Sequence, residues 1–163
     1  MALLVNPNSP AAETLSREVQ AAAAALALEF HVLHASAESD FDKVFANLVQ
    51  LSVGGLVIGG ADPFFSSRME QLAALTVRHA VPAIYQDREF VTAGGLASYG
   101  GSSTVSYHLA GVYCGRILKG EKPVNLPVQQ STKVELFINL KTAKALGLTI
   151  PQSLLVAADE LIE

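Results

Sequence analysis

Short apolar segments without charged residues alternate, in the first half of the chain, with longer segments whose apolar residues recur at helical spacing. Four of the short segments are expected to be strands: residues 2–6, which are expected to be buried, 30–34, 55–59, which are expected to be central, and 81–85. Charge-free strands are typical of a parallel sheet that helices cover on both faces. Three successive strand–helix units therefore predict an α/β fold with right-handed crossovers.

The helices between these strands are expected to start at capping residues. Ser9 is expected to cap the first helix, with Pro10 at its first turn, and Ser39 to cap the second. The third helix is expected over about residues 68–79. Beyond residue 85 the expected elements are a strand at 96–99, a helix at about 104–119, extended segments at 126–130 and 133–138, a helix at 140–146 and a last helical piece from 151 to the end.

The composition excludes several classes of protein. The 163 residues carry a net charge of −4, so the basic footprint of a general nucleic-acid scaffold is missing. A single cysteine, Cys114, excludes an internal disulfide framework and a thiolate zinc site. The best apolar run, residues 21–28, is shorter than the roughly 20 residues of a membrane span. The opening run is also shorter than the roughly 7–15 apolar residues of an export signal.

The sequence carries none of the common catalytic motifs. Dinucleotide-binding, P-loop, zinc-protease and nucleophile-elbow patterns are absent from it. The histidines His31, His34, His79 and His108 are scattered, and the first two face opposite sides of their strand. Cys114 has apolar helical neighbours and is expected to pack as a small hydrophobe. The sequence therefore predicts no enzyme, no catalytic residue, no metal and no cofactor.

The loops after the strands are the candidate binding positions, because ligands of open parallel sheets bind beyond the carboxyl ends of the strands. Asn8 and Ser9 follow the first strand, where free helix N–H groups can face an anion. Asp62 follows the third strand and can pair with an ammonium group. The structural alternative stays open for both loops, since Ser9 and Asp62 can also serve only as helix caps.

Two large aromatic residues and an arginine complete the candidate site. Phe64 and Phe65 follow Asp62 and can line an apolar pocket, or can simply pack. Arg88 follows the fourth strand and is the weakest candidate, because surface arginine is the common case. The predicted ligand-binding residues are therefore Asn8, Ser9, Asp62, Phe64, Phe65 and Arg88.

Seven segments of the chain resemble one protein family. They are residues 5–10 (Val-Asn-Pro-Asn-Ser-Pro), 61–68 (Ala-Asp-Pro-Phe-Phe-Ser-Ser-Arg), 74–85, 88–100, 115–123, 126–130 and 138–151. Together they resemble the second half of the tryptophan-type substrate-binding proteins of bacterial ABC transporters, a family of type I periplasmic binding proteins. The resemblance covers essentially the whole chain.

The resemblance implies a parallel, three-layer, Rossmann-like lobe from a two-lobed protein that closes on a small ligand. It implies that residues 1–87 form the core of the second lobe, that 88–122 cross at a hinge to the other lobe, and that 123–163 return. It further implies a small-molecule ligand such as an amino acid, a membrane permease as partner, and a periplasmic or lipoprotein location for the full-length parent.

Two other functions remain as alternatives. A ligand-sensing domain of a transcriptional or signalling regulator has the same fold, and a small α/β enzyme is the third reading. The resemblance also implies that the strand and the helix of the crossover segment lose their sheet in this chain alone, which exposes an apolar helix face with Val105, Leu109, Val112 and Ile117. The sequence-based hypothesis is that this face packs against a second copy of the chain, giving a homodimer.

Overall fold

The four charge-free segments form four parallel strands. They are β1 (Ala2–Val5), β2 (His31–His34), β3 (Leu56–Ile58) and β4 (Ala83–Tyr85). In the computed structural model, which describes residues 1–60, 62–129 and 133–163, these strands pair in the order β2-β1-β3-β4. Chain order and spatial order therefore differ, as in a doubly wound α/β sheet.

Three further strands extend the same sheet. They are β5 (Ala97–Gly101), β6 (Val134–Asn139) and β7 (Glu160–Ile162). β5 is parallel to β4, β6 is antiparallel to β5, and β7 is parallel to β6. Over the described residues the result is a seven-stranded, mostly parallel sheet in the order β2-β1-β3-β4-β5-β6-β7. The predicted α/β, Rossmann-like fold is confirmed.

Eight α-helices accompany the strands of the described chain. They are α1 (Ala12–Ala25), α2 (Phe41–Gln50), α3 (Pro63–Ser66), α4 (Met69–Arg78), α5 (Arg88–Thr92), α6 (Ser103–Leu118), α7 (Leu140–Ala145) and α8 (Gln152–Ala157). Short 3-10 turns lie at Glu38–Asp40 and Pro123–Asn125. The expected extended segment over 126–130 has no regular structure to residue 129, and residue 130 lies outside the described residues.

The main core lies on one face of the sheet. There α2 buries the apolar stripe that its sequence predicts: Phe41, Val44, Phe45 and Leu48. These side chains pack with buried residues of β1, β3, β4, α3, α4 and α5. Fully burying a side chain of this size contributes about 1.5–3 kcal/mol each. The other face is covered over β1, where α1 packs and Leu3 is fully buried.

Both predicted serine caps are wrong. α1 begins at Ala12, and the carbonyl of Ser9 accepts a hydrogen bond from the Ala12 N–H at 3.0 Å, so Ser9 belongs to a turn. Ser39 lies inside the 3-10 turn before α2. The Asp40 carboxylate makes the local contacts instead, accepting from the N–H groups of Ser36 and Ala37 at 2.9 Å. These two bonds hold the pKa of Asp40 below its usual value.

The chain end also differs from the expectation. α8 ends at Ala157, and the residues after it form β7 beside β6 where a continuous helix was expected. The Asp159 carboxylate accepts from the Leu136 N–H at 2.9 Å, and the Asp159 N–H donates to the Leu136 carbonyl. This reciprocal pair aligns the last residues with β6 and ends the helix.

The segment expected to cross to another lobe divides into two parts. Its strand, β5, lies in this sheet between β4 and β6, so the expectation that the strand would lack a sheet is wrong. Its helix, α6, leaves the sheet: among the described residues, none from Ser103 to Leu118 is buried. The assignment of residues 1–87, 88–122 and 123–163 to lobes stays a prediction.

Candidate functional site

The candidate site lies at the carboxyl edge of the parallel strands. Because β1, β2, β3 and β4 run in the same direction, the loops that follow them emerge at one edge of the sheet. Each of these loops carries polar side chains, with Asn6 after β1, Asp40 after β2, Asp62 after β3 and Gln86 after β4. The topology therefore gathers them from four separate parts of the sequence.

Asp62 is the buried charged group of this edge. Its side chain is 5% exposed and accepts a hydrogen bond from the Phe64 N–H at 2.8 Å. It therefore caps α3, with Pro63 in the first turn where a missing N–H costs nothing. Its Oδ1 also accepts from Asn6 Nδ2 at 3.4 Å, which ties the loop after β3 to the loop after β1.

Three of the predicted residues, Ser9, Asp62 and Phe65, meet in one narrow pocket. Asn6 and Leu15 are among its other walls. Its volume of about 10 Å³ has room for about one water molecule. A larger solute does not fit inside this pocket. Asn8 is exposed, and its N–H donates to Asn6 Oδ1 at 3.0 Å.

The two neighbouring phenylalanines have different environments. Phe65 is 0% exposed and belongs to the main core. Phe64 is half-buried, with ring centroids 5.6 Å from Phe41 and 5.3 Å from Phe65. The Arg68 guanidinium lies 4.4 Å from the Phe64 ring centroid, close enough for a cation–π contact. Of the two aromatic candidates, Phe64 is therefore the one with surface available to a ligand.

Arg88 lies apart from this group. Its guanidinium donates to both carboxylate oxygens of Glu160, at 2.6 and 2.7 Å, and approaches the Phe137 ring. The bond to Glu160 raises the pKa of Arg88, whose charge is therefore already paired. It lines a different cavity, which the loop after β4, with Gln86 and Asp87, forms with residues 100–104 and with Glu135 and Phe137 of β6. The structure thus ties Arg88 to the end of the chain.

The sequence analysis missed two residues at this edge, Arg68 and Tyr85. A depression of about 610 Å³ is lined by Glu38, Ser66, Arg68 and Glu89 among others. Arg68 Nε donates to Glu38 Oε1 at 2.8 Å, across thirty residues of sequence. The Tyr85 hydroxyl lies 3.1 Å from Ser66 Oγ, and burial raises the pKa of Tyr85. The sequence feature that could have pointed to Tyr85 was its position at the end of a predicted strand.

Asp87 is a carboxyl group whose charge the fold disfavours. Burial, with a further contribution from Glu89, raises the pKa of Asp87, while a bond from Gln86 works against it. Ionisation of Asp87 therefore lowers the stability of the folded chain. This loss of stability is zero below the pKa of Asp87 in the unfolded chain and reaches its full size above the pKa in the folded chain. We expect Asp87→Asn to raise Tm at pH 7 by on the order of 1 °C, small because the carboxyl is partly solvated.

Thermal unfolding followed from pH 3 to pH 8 tests this expectation. The advantage of the variant should shrink as pH falls through the folded pKa and vanish where both states are protonated. Asp42→Asn, an exposed carboxyl on α2, is the control and should show no such trend. A variant that is less stable than the parent at pH 7 would contradict the assignment.

The described residues offer binding groups and no metal cluster. Over residues 1–60, 62–129 and 133–163, no three His, Cys, Asp or Glu side chains are grouped as metal ligands. Within the same ranges, no helix is both long enough and apolar enough to cross a bilayer. The arrangement at the carboxyl edge is a carboxylate, amides, hydroxyls and an aromatic ring, which suits recognition of a small polar molecule.

Three solved structures share this fold. A conserved domain protein from Vibrio cholerae is 24% identical, with a TM-score of 0.82, and the match covers 98% of this chain and 53% of that one. The ABC domain from Streptococcus pneumonia in complex with L-Trp is 23% identical, with a TM-score of 0.83, covering 99% and 55%. A substrate binding protein with adhesive properties from Clostridium difficile, in its ligand-free, open structure, is 18% identical, with a TM-score of 0.71, covering 99% and 53%.

The chain spans about half the length of these structures, and at these identities the likeness concerns the fold. A comparison with proteins of curated function finds no match. The model of the family described as ABC transporter substrate binding protein matches residues 1–162. Because that match spans nearly the whole sequence, the chain belongs to the ABC transporter substrate binding protein family.

Proposed function

We propose that this chain is a solute-binding lobe of an ABC importer, which holds a small molecule at the carboxyl edge of its sheet. The observation that carries the proposal is Asp62, a buried carboxylate that the loops after β1 and β3 hold at that edge. A carboxylate at this position suits a ligand with an ammonium group. The half-buried ring of Phe64, two residues further along the chain, offers an apolar surface.

An amino acid or a related zwitterion has the chemistry that this edge can recognise. Its ammonium group would pair with Asp62, and an apolar side chain would lie against Phe64. The L-Trp bound to the Streptococcus pneumonia structure is a ligand of this class, which supports the proposal. The proposed binding residues around Asp62 are Asn8, Ser9 and Phe64, with Phe65 as the packing support beneath them. Arg88 is the proposed binding residue of the separate cavity after β4, where Glu160 pairs its charge.

The family membership supports a wider role. We propose that the ligand is trapped between this lobe and a second one, and that the closed form delivers it to a membrane permease. The proposed role is binding without chemical conversion of the solute, at an extracytoplasmic location. The permease and a second copy of this chain are the proposed partners.

A thermal-shift screen with the twenty amino acids tests the proposal. A ligand at a hundredfold excess over its Kd stabilises the folded chain by about 2.7 kcal/mol. For a chain of this length that corresponds to a rise in Tm of about 5–10 °C. We expect at least one amino acid to give such a rise, and Asp62→Asn to remove most of it.

Asparagine is the informative replacement, because it is also a good helix cap and can still accept from the Phe64 N–H. The variant should therefore keep the Tm of the unliganded parent while losing the charge that the ammonium group requires. Asp42→Asn is the matched control and should bind normally. Binding that survives in Asp62→Asn, or no shift with any amino acid, would count against the proposed ligand class.

A further inference from the structure

Asn6 links two loops of the candidate site, and its own loop fixes the direction of its side-chain amide. The Asn6 Oδ1 accepts a hydrogen bond from the Asn8 N–H at 3.0 Å. A backbone N–H can pair only with the oxygen of an amide, so the Asn6 nitrogen must face the other way. That nitrogen, Nδ2, donates to Asp62 Oδ1 at 3.4 Å. The turn at Asn6 therefore presents a donor, and not an acceptor, to the Asp62 carboxylate.

The two oxygens of this carboxylate are used unequally. Oδ1 accepts from the Phe64 N–H at 2.8 Å as well as from Asn6 Nδ2, and these two bonds use both of its lone pairs. Within residues 1–60, 62–129 and 133–163, no hydrogen bond reaches Asp62 Oδ2. In the same part of the chain, Ser98 Oγ is the only buried side-chain polar atom without a partner, so Oδ2 keeps contact with solvent. One oxygen of the carboxylate is thus open to a ligand.

The narrow pocket at Asp62 has the size of an ammonium group. Its volume of about 10 Å³ has room for about one water molecule, and its polar walls include Asn6, Ser9 and Asp62. The exposed residue Ala11 also lines it, so the pocket reaches the surface. An ammonium group is a compact point charge, whereas a guanidinium group is a planar fork that pairs with both oxygens of a carboxylate. The pocket volume and the single open oxygen therefore favour the same group.

We infer that Asn6 is a positioning residue of the solute site: it holds the Asp62 carboxylate with only Oδ2 open, so that the pocket takes an ammonium headgroup and rejects a guanidinium headgroup. The hydroxyl of Ser9 offers a second acceptor to the ammonium protons. The inference rests on the proposed function, because the solute at this edge is itself proposed. The contact between Asn6 and Asp62 exists without a solute and is tested separately.

A double-mutant cycle without any solute tests this contact. Asn6→Asp keeps the turn, because its carboxylate still accepts from the Asn8 N–H, and it places an oxygen where the donor to Asp62 was. Two carboxylates at this distance repel each other, so Tm should fall by on the order of 5 °C at pH 7. In the Asp62→Asn background the same change should lower Tm by less than half as much, because residue 62 is then neutral.

Gln20→Glu is the matched control for the cycle. It makes the same change from amide to carboxylate at an exposed position of α1. Its effect on Tm should be the same in the parent chain and in Asp62→Asn. If Asn6→Asp also lowered Tm equally in the two backgrounds, residues 6 and 62 would not be coupled, and the positioning role of Asn6 would be overturned.

Titration followed by NMR tests the selection of the headgroup with three probes of one skeleton. They are L-phenylalanine, its N-amidino derivative, which carries a guanidinium group, and 3-phenylpropionate, which carries no cation. The parent chain should bind L-phenylalanine about tenfold more tightly than either other probe. In Asn6→Asp the guanidinium fork has two carboxylates to pair with, so the preference for L-phenylalanine over the N-amidino probe should fall by about fivefold or more.

This change of preference separates a positioning role from a structural one. If Asn6 only supported the loop, Asn6→Asp would weaken both cationic probes alike, and the unchanged preference would overturn the inference. A parent chain that bound the N-amidino probe as tightly as L-phenylalanine would overturn it too. A parent chain that bound none of the three probes would contradict the proposed ligand class and the headgroup selection, whereas the double-mutant cycle would still decide the role of Asn6.

Discussion

Replacing Phe65 with alanine should lower the free energy of unfolding by about 3–5 kcal/mol. The ring is 0% exposed and lies within the main core, beside Phe64 and against the narrow pocket under Asp62. Its removal loses the apolar burial of the ring and leaves a cavity that the surrounding strands cannot fill. A domain of this size is stable by about 5–15 kcal/mol, so a large part of the total would be lost.

Urea unfolding followed by circular dichroism measures this loss, with Phe64→Ala as the matched variant. Phe64 is half-buried and has Arg68 over its ring, so its removal should cost less than half as much. Equal losses in the two variants, or a Phe65→Ala chain as stable as the parent, would contradict the assignment of Phe65 to the core. The two variants thus distinguish Phe65, a core packing residue, from Phe64, the candidate binding residue beside it in the sequence.

The strands of the first half could be predicted because their signal is local. A strand buried on both faces must avoid charge along its whole length, and residues 2–6, 55–59 and 81–85 meet that condition. Residues 30–34 lack Asp, Glu, Lys and Arg as well, although β2 is a partly exposed edge strand. The observed strands β1 to β4 lie within these segments. The stripe of α2 is local in the same sense, since Phe41, Val44, Phe45 and Leu48 follow helical spacing.

The chain end could not be predicted in this way, because its structure depends on distant partners. Residues 160–162 become a strand through pairing with β6, and the bond between Asp159 and Leu136 spans 23 residues. The bond from Arg88 to Glu160 spans 72 residues. Helical spacing within the last segment contains no information about these contacts, so the local pattern indicated a helix.

The location of the candidate site could be predicted from the sequence. The identity of the residues that form it could be predicted less well. The rule that ligands lie beyond the carboxyl ends of parallel strands selects the loops holding Asn6, Ser9 and Asp62. It does not separate Phe64 from Phe65, because the adjacent side chains differ in burial only through the packing of α3 on the core. Arg68 was missed because its partners, Glu38 and the Phe64 ring, come from different loops.

The glycine at position 100 should be as hard to replace as a core side chain. An alanine Cβ at this position would lie 2.2 Å from the Gln86 carbonyl oxygen and 3.0 Å from the Gln86 carbonyl carbon. The obstacle is backbone, so no side-chain rotation relieves it, and β5 must move away from the end of β4. We expect Gly100→Ala to destabilise the fold by about 3 kcal/mol, the upper end of the usual cost of overpacking.

Gly111→Ala is the matched control for this variant, because a Cβ at Gly111 meets nothing within 4 Å. Gly111 lies inside α6, where alanine is the better helix former by about 0.5–1 kcal/mol, so this variant should be as stable as the parent or more so. Urea unfolding of both variants gives the comparison. If Gly100→Ala unfolded at the same urea concentration as Gly111→Ala, the close approach of β5 to Gln86 would be excluded. The expected loss would instead support the close packing of β5 at Gly100 against the Gln86 backbone.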